Sequence, residues 1–155
     1  MLEQEKSPFA IKNLTGGKGF LMLQVSNLWA DNHDKVLKKY YDLSHMQFAV
    51  LASVYWLALN YGKQITQTIL SQHTKISPMT ISQILKVLEA KGYVYRTTIL
   101  TNVRAKAVDL TPKGKELMDK AMKTIYDVDA KFFQILGKNT KYFNHYMYEL
   151  LYANE

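Results

Sequence analysis

Four histidines and a set of carboxylates are the residues of this 155-residue chain that could bind a metal or do acid–base chemistry. The histidines stand in four different predicted helices, as His33, His45, His73 and His145. Asp34 next to His33 and Glu149 four residues after His145 are the acids near them at metal-ligand spacing. The chain has no cysteine, which excludes disulfides, thiolate metal sites and a thiol nucleophile. We therefore predict no catalytic residue, no metal site and no cofactor, and we do not expect an enzyme.

Basic side chains offer a second kind of chemistry, the binding of phosphate groups. The formal net charge is +7, and residues 61–115 carry nine Lys and Arg against two acids, Glu89 and Asp109. The segments before and after this one are close to neutral. Basic charge that is gathered in one segment is typical of a nucleic-acid-binding surface. The alternative is a solvated basic face without a partner.

Helices are predicted around this segment from apolar periodicity. A long amphipathic helix covers Phe20 to Tyr40, and Ser44 caps a second helix that runs to about Leu59. A short helix covers about Thr66 to Thr74. Ser77-Pro78 is the usual start of the next helix, and Gly92 is its C-terminal stop. These signals predict a helix-turn-helix inside the basic segment.

A change in residue types and in the spacing of apolar side chains predicts a β-hairpin directly after these helices. Residues 93–99 are rich in aromatic and β-branched types and predict a strand, Thr101-Asn102 predicts a turn, and residues 106–110 predict a second short strand. Thr111-Pro112 is expected to start a long helix in the same way, over about 112–136, and Gly137 ends it. Asn139 is expected to cap a last helix, whose apolar side chains fall on one face: Phe143, Tyr146, Met147, Leu150 and Leu151.

Two short helices, a tight turn and a hairpin predict a winged helix-turn-helix, with the second helix in the DNA major groove. Ile81, Ile84, Leu85 and Leu88 must face the core. The side chains left for the outer face are Pro78, Met79, Thr80, Ser82, Gln83 and Lys86. An amide such as that of Gln83 can pair with an adenine edge, and Thr80 can contact a thymine methyl. The alternative is an ordinary surface helix, which the neighbouring basic hairpin makes less favoured.

Three segments resemble the multiple antibiotic resistance regulator (MarR) family of bacterial transcription factors. They are residues 43–51 (LSHMQFAVL), residues 70–94 with ISPMTIS at their centre, and residues 102–114 with NVRAK followed by LTPKG. The resemblance implies a homodimer, a wing arginine that enters the minor groove, and a regulatory ligand site between the dimerisation helices and the DNA-binding lobe. Arg104 keeps the place of that arginine. The chain departs from the family at Asn102 (usually Asp), Gln83 (usually Arg) and Lys75 (often Gly).

Two sets of site residues follow. The predicted DNA-binding residues are Ser77, Pro78, Met79, Thr80, Ser82, Gln83, Lys86, Arg96, Asn102, Arg104 and Lys106. The residues that could line an effector site between the first two helices are Trp29, His33, Tyr40, Phe48 and Trp56. The alternative for the second set is simple core, which is the more common reason for aromatic residues at helical spacing.

The expected fold class is mainly α with a small β-hairpin: a winged helix-turn-helix domain flanked by N- and C-terminal dimerisation helices. We expect one MarR-like domain over 1–155, with dimerisation helices in 1–42 and 115–155 and the DNA-binding lobe in 43–114. The expected function is a cytoplasmic homodimeric regulator that binds a pseudo-palindromic operator in double-stranded DNA. We expect it to act as a repressor that a small aromatic effector releases, with no membrane partner. The alternative is a winged-helix protein-interaction module without specific DNA binding.

Overall fold

A computed structural model describes residues 17–155 of the chain. Six α-helices and one antiparallel hairpin follow each other in the order that the sequence predicts: α1 Lys18–Tyr41, α2 His45–Asn60, α3 Gln67–Thr74, α4 Pro78–Ala90, β1 Val94–Ile99, β2 Asn102–Leu110, α5 Pro112–Phe133 and α6 Thr140–Tyr152. A short 3₁₀ segment, Gln134–Asn139, joins α5 to α6. The predicted fold class is confirmed.

Side-chain caps start the helices at the predicted places. Ser44 accepts the backbone N–H of Gln47 while Gln47 accepts the backbone N–H of Ser44, so α2 begins with a complete capping box. Ser77 and Thr111 cap α4 and α5 by accepting the backbone N–H groups of Thr80 and Gly114. Each cap is followed by a proline, which needs no hydrogen bond at the first helical position. Gly92 has a φ of 75°, which lets the chain leave α4 and turn into β1.

The hydrophobic core surrounds α2. This helix buries Phe48, Leu51, Val54 and Leu57 among its side chains, and it packs against α1, α3, α4, α5 and β2. Helices outside the predicted 43–114 lobe also contribute to the core, through Leu37 of α1 and through Met118, Ala121 and Ile125 of α5. Helices α3 and α4 are therefore packed on the same core as the helices that flank them.

The hairpin, called the wing below, is tied to the body at its base. Its strands pair from Val94 with Leu110 to Thr98 with Lys106, and then the register jumps so that Ile99 pairs with Asn102. Residues 103–105 of β2 form the extra segment at this irregularity. At the base, the N–H of Val108 donates to the carbonyl of Ile65 at 2.7 Å, so the loop before α3 pairs with β2.

Several predicted boundaries were wrong. The second strand begins at Asn102 rather than Lys106, because the turn occupies residues 100 and 101 and β2 continues through the irregularity. Helix α5 ends at Phe133 rather than Leu136, where 3₁₀ geometry takes over before the kink at Gly137. Asn139 precedes α6 but makes no capping bond with its side chain. Instead the Thr140 hydroxyl donates to the carbonyl of Gly137 at 2.8 Å. No helix within residues 17–155 is long and apolar enough to cross a membrane.

Candidate DNA-binding surface

Helix α4 presents a polar face because its apolar residues fall on one stripe. Ile81, Ile84, Leu85 and Leu88 are buried, and the intervening positions point away from the core. Met79, Gln83 and Lys86 are exposed, with Met79 exposed to 73 %. Thr80 and Ser82 are half-buried. The face predicted from periodicity is therefore the face that the structure exposes.

The start of α4 is held by local hydrogen bonds. The Ser77 hydroxyl lies 2.9 Å from the Thr80 hydroxyl and also accepts the Thr80 N–H at 3.3 Å. The amide of Gln67, at the start of α3, donates to the carbonyl of Pro78 at 2.9 Å. These contacts fix the N-terminus of α4 against that of α3. Ser77 and Pro78 thus position the helix in addition to being exposed near its tip.

The wing carries two exposed cations, Arg104 and Lys106. The Asn102 side-chain oxygen accepts the backbone N–H of Arg104 at 3.3 Å. Asn102 thus shapes the backbone at the irregular segment of β2, and this role needs only an oxygen acceptor. The bond goes to the Arg104 backbone, so an amide can take the place of the family's usual carboxylate here. Irregularities of this kind re-aim side chains near functional sites.

Arg96 differs from the cations Arg104 and Lys106 of the wing because its side chain is paired with a carboxylate. Its Nε and Nη2 atoms donate to Glu89 Oε2 at 3.0 and 2.7 Å, and its side chain is half-buried. The charge of Arg96 is therefore matched by a carboxylate on α4. The structure makes Arg96 a brace between α4 and β1, a role that the sequence analysis did not predict.

An open cleft of about 620 Å³ separates α3 from the wing. Its polar lining comes from the start of α3 and from the wing, namely Thr66, Gln67, Thr68, Arg96, Asn102, Arg104 and Lys106. The hydroxyl and amide groups of α3 were not among the predicted site residues. Their only sequence signal was the position of Thr66 as a helix cap. The cleft brings cations and hydrogen-bond donors to the same side as the tip of α4, as expected of a surface that follows a phosphate backbone.

The predicted effector residues come together only in part. Trp29, His33 and Phe48 are neighbours: the His33 ring lies 4.5 Å from that of Trp29 and 6.3 Å from that of Phe48. Two residues that the sequence analysis missed complete the group, His45 and Asp129. Asp129 Oδ1 accepts the Trp29 indole N–H at 2.7 Å and the His33 Nε2–H at 2.8 Å. We call Trp29, His33, His45 and Asp129 the histidine cluster.

Tyr40 and Trp56 lie away from this cluster, so the structure does not bring the five predicted residues together. Tyr40 is 62 % exposed on the outer face of α1. Trp56 is 53 % exposed and stacks on His73 of α3 with the ring centroids 5.3 Å apart. Each side chain follows the turn of its helix away from the α1–α2–α5 junction, which a list of aromatic residues cannot show. In the part of the chain covered by 17–155, no three His, Asp or Glu side chains are placed to hold a metal ion.

Comparisons with known proteins agree with this geometry. The profile of the ArnR1-like winged-helix domain matches residues 39–129. A Bacillus subtilis protein described as the uncharacterized HTH-type transcriptional regulator YdcH is 28 % identical over 124 residues, which cover 80 % of this chain and 83 % of that protein.

Solved structures share the fold at lower identity. Sco3205, a MarR family transcriptional regulator from Streptomyces coelicolor solved in complex with DNA, has a TM-score of 0.76 at 19 % identity, covering 87 % of this chain and 84 % of its own. CouR from Rhodococcus jostii RHA1, solved with p-coumaroyl-CoA bound, has a TM-score of 0.72 at 21 % identity, covering 91 % and 93 %.

Proposed function

Since the chain belongs to the ArnR1-like winged-helix family and has the fold of MarR-family regulators, we propose that it is a sequence-specific DNA-binding transcriptional regulator. One observation carries this proposal. The start of α3 and the cations of the wing line one cleft, and Gln67 of α3 ties that cleft to the N-terminus of α4 through the Pro78 carbonyl. A helix of this kind fits the major groove, and a basic hairpin beside it reaches the adjacent backbone and minor groove.

Different parts of the surface take different roles. Gln83 pairs with a base edge in the major groove, assisted by Thr80 and Lys86. Arg104 enters the minor groove, where it responds to groove width more than to base identity. Lys106 and the polar groups at the start of α3 contact phosphates. Base contacts then supply sequence preference, and phosphate contacts supply orientation and most of the salt-dependent affinity.

A homodimer is the second part of the proposal, and exposed apolar surface supports it. Within residues 17–155, α6 buries none of its side chains, although it carries Tyr146, Met147, Leu150 and Leu151. The first half of α1 likewise exposes Phe20, Leu21, Met22, Leu23, Val25 and Leu28. Apolar faces of this size need a partner surface, and a second copy with the same faces supplies one. We therefore assign dimerisation to 1–42 and 115–155, of which residues 1–16 lie outside the described residues.

The dimer has a consequence for the operator. Two recognition helices that are related by a two-fold axis enter successive major grooves, so half-sites should lie about 10–10.5 base pairs apart or at a multiple of that distance. We propose that the bound dimer represses transcription in the cytoplasm. We further propose that a small aromatic effector, docking against Trp29 and Phe48 at the α1–α2–α5 junction, releases it. CouR, which shares this fold, was solved with p-coumaroyl-CoA, a ligand that carries an aromatic acyl group.

Selection of duplexes from a random pool tests the function. We expect a palindromic sequence to emerge, with an affinity that falls steeply between low and moderate salt because bound cations displace condensed counterions. A protein-interaction winged helix would select no sequence. DNA binding would be overturned as the function if no sequence motif is selected. It would also be overturned if the logarithm of the binding constant does not change with the logarithm of the salt concentration.

A further inference from the structure

Two neighbouring histidines lie where three helices meet, and the DNA-binding surface does not use them. His33 of α1 is only 2 % exposed, and its Nδ1 lies 3.2 Å from the Nδ1 of His45, the first residue of α2. On its other side, His33 Nε2 donates to Asp129 of α5. We propose that this pair is a proton-sensitive joint, at which acidification separates α2 from α1 and α5 and thereby weakens DNA binding. The DNA-binding half of this inference rests on the proposed function.

The number of protons on the two Nδ1 atoms decides whether the contact between the rings can form. Two Nδ1 atoms at 3.2 Å form a hydrogen bond when one of them carries a proton and the other offers a lone pair. The bond is kept when both rings are neutral and also when one of them becomes an imidazolium. When both rings are fully protonated, two N–H groups with like charges face each other, and the contact cannot persist. The contact between the two rings therefore persists until both are protonated, and the last proton breaks the joint.

The charged groups around the two rings favour uptake of a first proton more strongly than uptake of a second. Asp129 on α5 faces His33, and Asp34 on α1 accepts the backbone N–H of His45 at 2.6 Å while its other oxygen pairs with Lys38. From α2 the neighbour is the apolar ring of Phe48. Burial and the charge of His33 lower the pKa of His45, although both carboxylates act in the opposite direction. The start of α2 is also the positive end of a helix dipole, which disfavours a second imidazolium.

This joint connects the DNA-binding helices to the rest of the molecule. Helix α2 packs against both α3 and α4, whereas α1 and α5 carry or adjoin the apolar faces assigned to the dimer. His45 follows directly on the short connection from α1 to α2. A displacement of the start of α2 would therefore be transmitted to α3 and α4 through their shared core. In a dimer, it would change the distance between the two recognition helices.

The direction in which DNA affinity changes with pH distinguishes this joint from the general effect of added positive charge. Protonating histidines adds positive charge to the protein, which by itself would strengthen binding to DNA at low pH. The joint predicts the opposite, namely weaker binding at low pH. Because the folded pKa of His45 is lowered, the stabilisation from the intact contact is fully present above the unfolded histidine pKa and is lost as the pH falls through the folded one.

Trp29 gives a readout that does not need DNA. Its indole ring lies 4.5 Å from the His33 ring and 4.8 Å from the His45 ring, and imidazolium quenches indole emission more strongly than imidazole. In the full chain with Trp56→Phe, so that Trp29 is the sole tryptophan, we expect its emission to change between about pH 7 and pH 5. The change should be lost when His45→Gln is added and retained when His73→Gln is added, since His73 lies outside the cluster. Loss in both or in neither overturns the joint.

Binding to the selected duplex tests the second half. At constant ionic strength, the wild type should bind at least about fivefold more weakly at pH 5.5 than at pH 7.5, which is the lower end of typical allosteric couplings. His73→Gln should behave like the wild type, and His45→Gln should lose this decrease. Equal pH dependence in the wild type and His45→Gln overturns control of DNA binding by the joint.

Two further outcomes can be distinguished. If no duplex binds at any pH, the proposed function fails, while the Trp29 titration still judges the proton-sensitive contact. If His45→Gln does not fold, histidine NMR signals of the wild type decide. Two separate, coupled titration steps for His33 and His45 support the pair, and two independent steps at the ordinary histidine pKa refute it.

Discussion

Replacing Gly114 by alanine sets helix propensity against packing at the junction of α4, the wing and α5. Gly114 is the third residue of α5, and alanine in a helix is ordinarily more stable than glycine by roughly 0.5–1 kcal/mol. At this position, however, a Cβ would overlap the carbonyl oxygen of Tyr93 and lie 3.0 Å from its carbonyl carbon and 3.1 Å from Leu110 Cδ2. Backbone atoms cannot rotate away as the end of a side chain can. The start of α5 must therefore move.

The size of the effect follows from the contacts that this movement breaks. The Thr111 N–H donates to the Tyr93 carbonyl at 3.0 Å, and the Thr111 hydroxyl donates to the Gly92 carbonyl at 2.5 Å. Each bond contributes about 1 kcal/mol net, and overpacking adds about 1–3 kcal/mol. After the gain in propensity is subtracted, we expect Gly114→Ala to lower the free energy of unfolding by about 3 kcal/mol. In a chain of this length, that corresponds to roughly 6–12 °C in Tm.

Thermal unfolding followed by circular dichroism measures this, with all variants at the same chain concentration because a dimer's Tm depends on it. Gly19→Ala is the matched control. Gly19 lies in the first turn of α1, and a Cβ there meets no atom within 4 Å among residues 17–155. This variant should be neutral or slightly more stable. A Tm of Gly114→Ala equal to or above that of the wild type would refute the reasoning.

The remaining predictions concern recognition, assembly and capping. Gln83→Ala should cost about 1–3 kcal/mol on the selected duplex and relax preference at one base pair per half-site, as measured by titration of mismatched duplexes. If it weakens all sequences equally, Gln83 contacts the backbone. Arg104→Ala should weaken binding to selected and random DNA to a similar extent. It should also lower the slope of the logarithm of the binding constant against that of the salt concentration by about one per subunit. Unchanged affinities would show that Arg104 of the wing does not contact DNA. Truncation after Lys138 should give monomers in light scattering and abolish high-affinity binding, whereas a stable truncated dimer would contradict the role of α6. Ser44→Ala should lower stability by about 1 kcal/mol through loss of the capping box, measured by denaturant unfolding, and no loss would mean that the cap contributes nothing.

The sequence predicted the helices of residues 43–114 well because each one begins or ends at a capping residue or a glycine that can be recognised from a few neighbouring residues. Ser44, Ser77 and Thr111 cap their helices as expected, and Gly92 ends α4. The boundaries that were missed depend on geometry outside the local pattern. The start of β2 at Asn102 depends on pairing with Ile99 across an irregular register, which alternation of side chains does not reveal.

The site was harder to predict because its key contacts join residues that are far apart in sequence. Asp129 is about a hundred residues from Trp29, and no pattern near either residue indicates the hydrogen bond between their side chains. The brace between Arg96 and Glu89 similarly depends on how β1 returns along α4. Periodicity shows which face of a helix is buried, and it does not show which charged groups meet there.

The two ends of β2 should differ in how readily their backbone amides exchange with deuterium. Near its base, Val108 is buried and its N–H is bonded to Ile65, while β1 pairs along the other edge. At the tip, residues 100–104 are exposed, and the register is interrupted. Exchange should therefore be slow at residue 108, limited by opening of the core, and fast at 103 and 104, limited only by local fluctuation. A strand with such a gradient keeps the base of the wing at a fixed distance from α4, and under the proposed role of Arg104 it lets the tip adjust to minor grooves of different width.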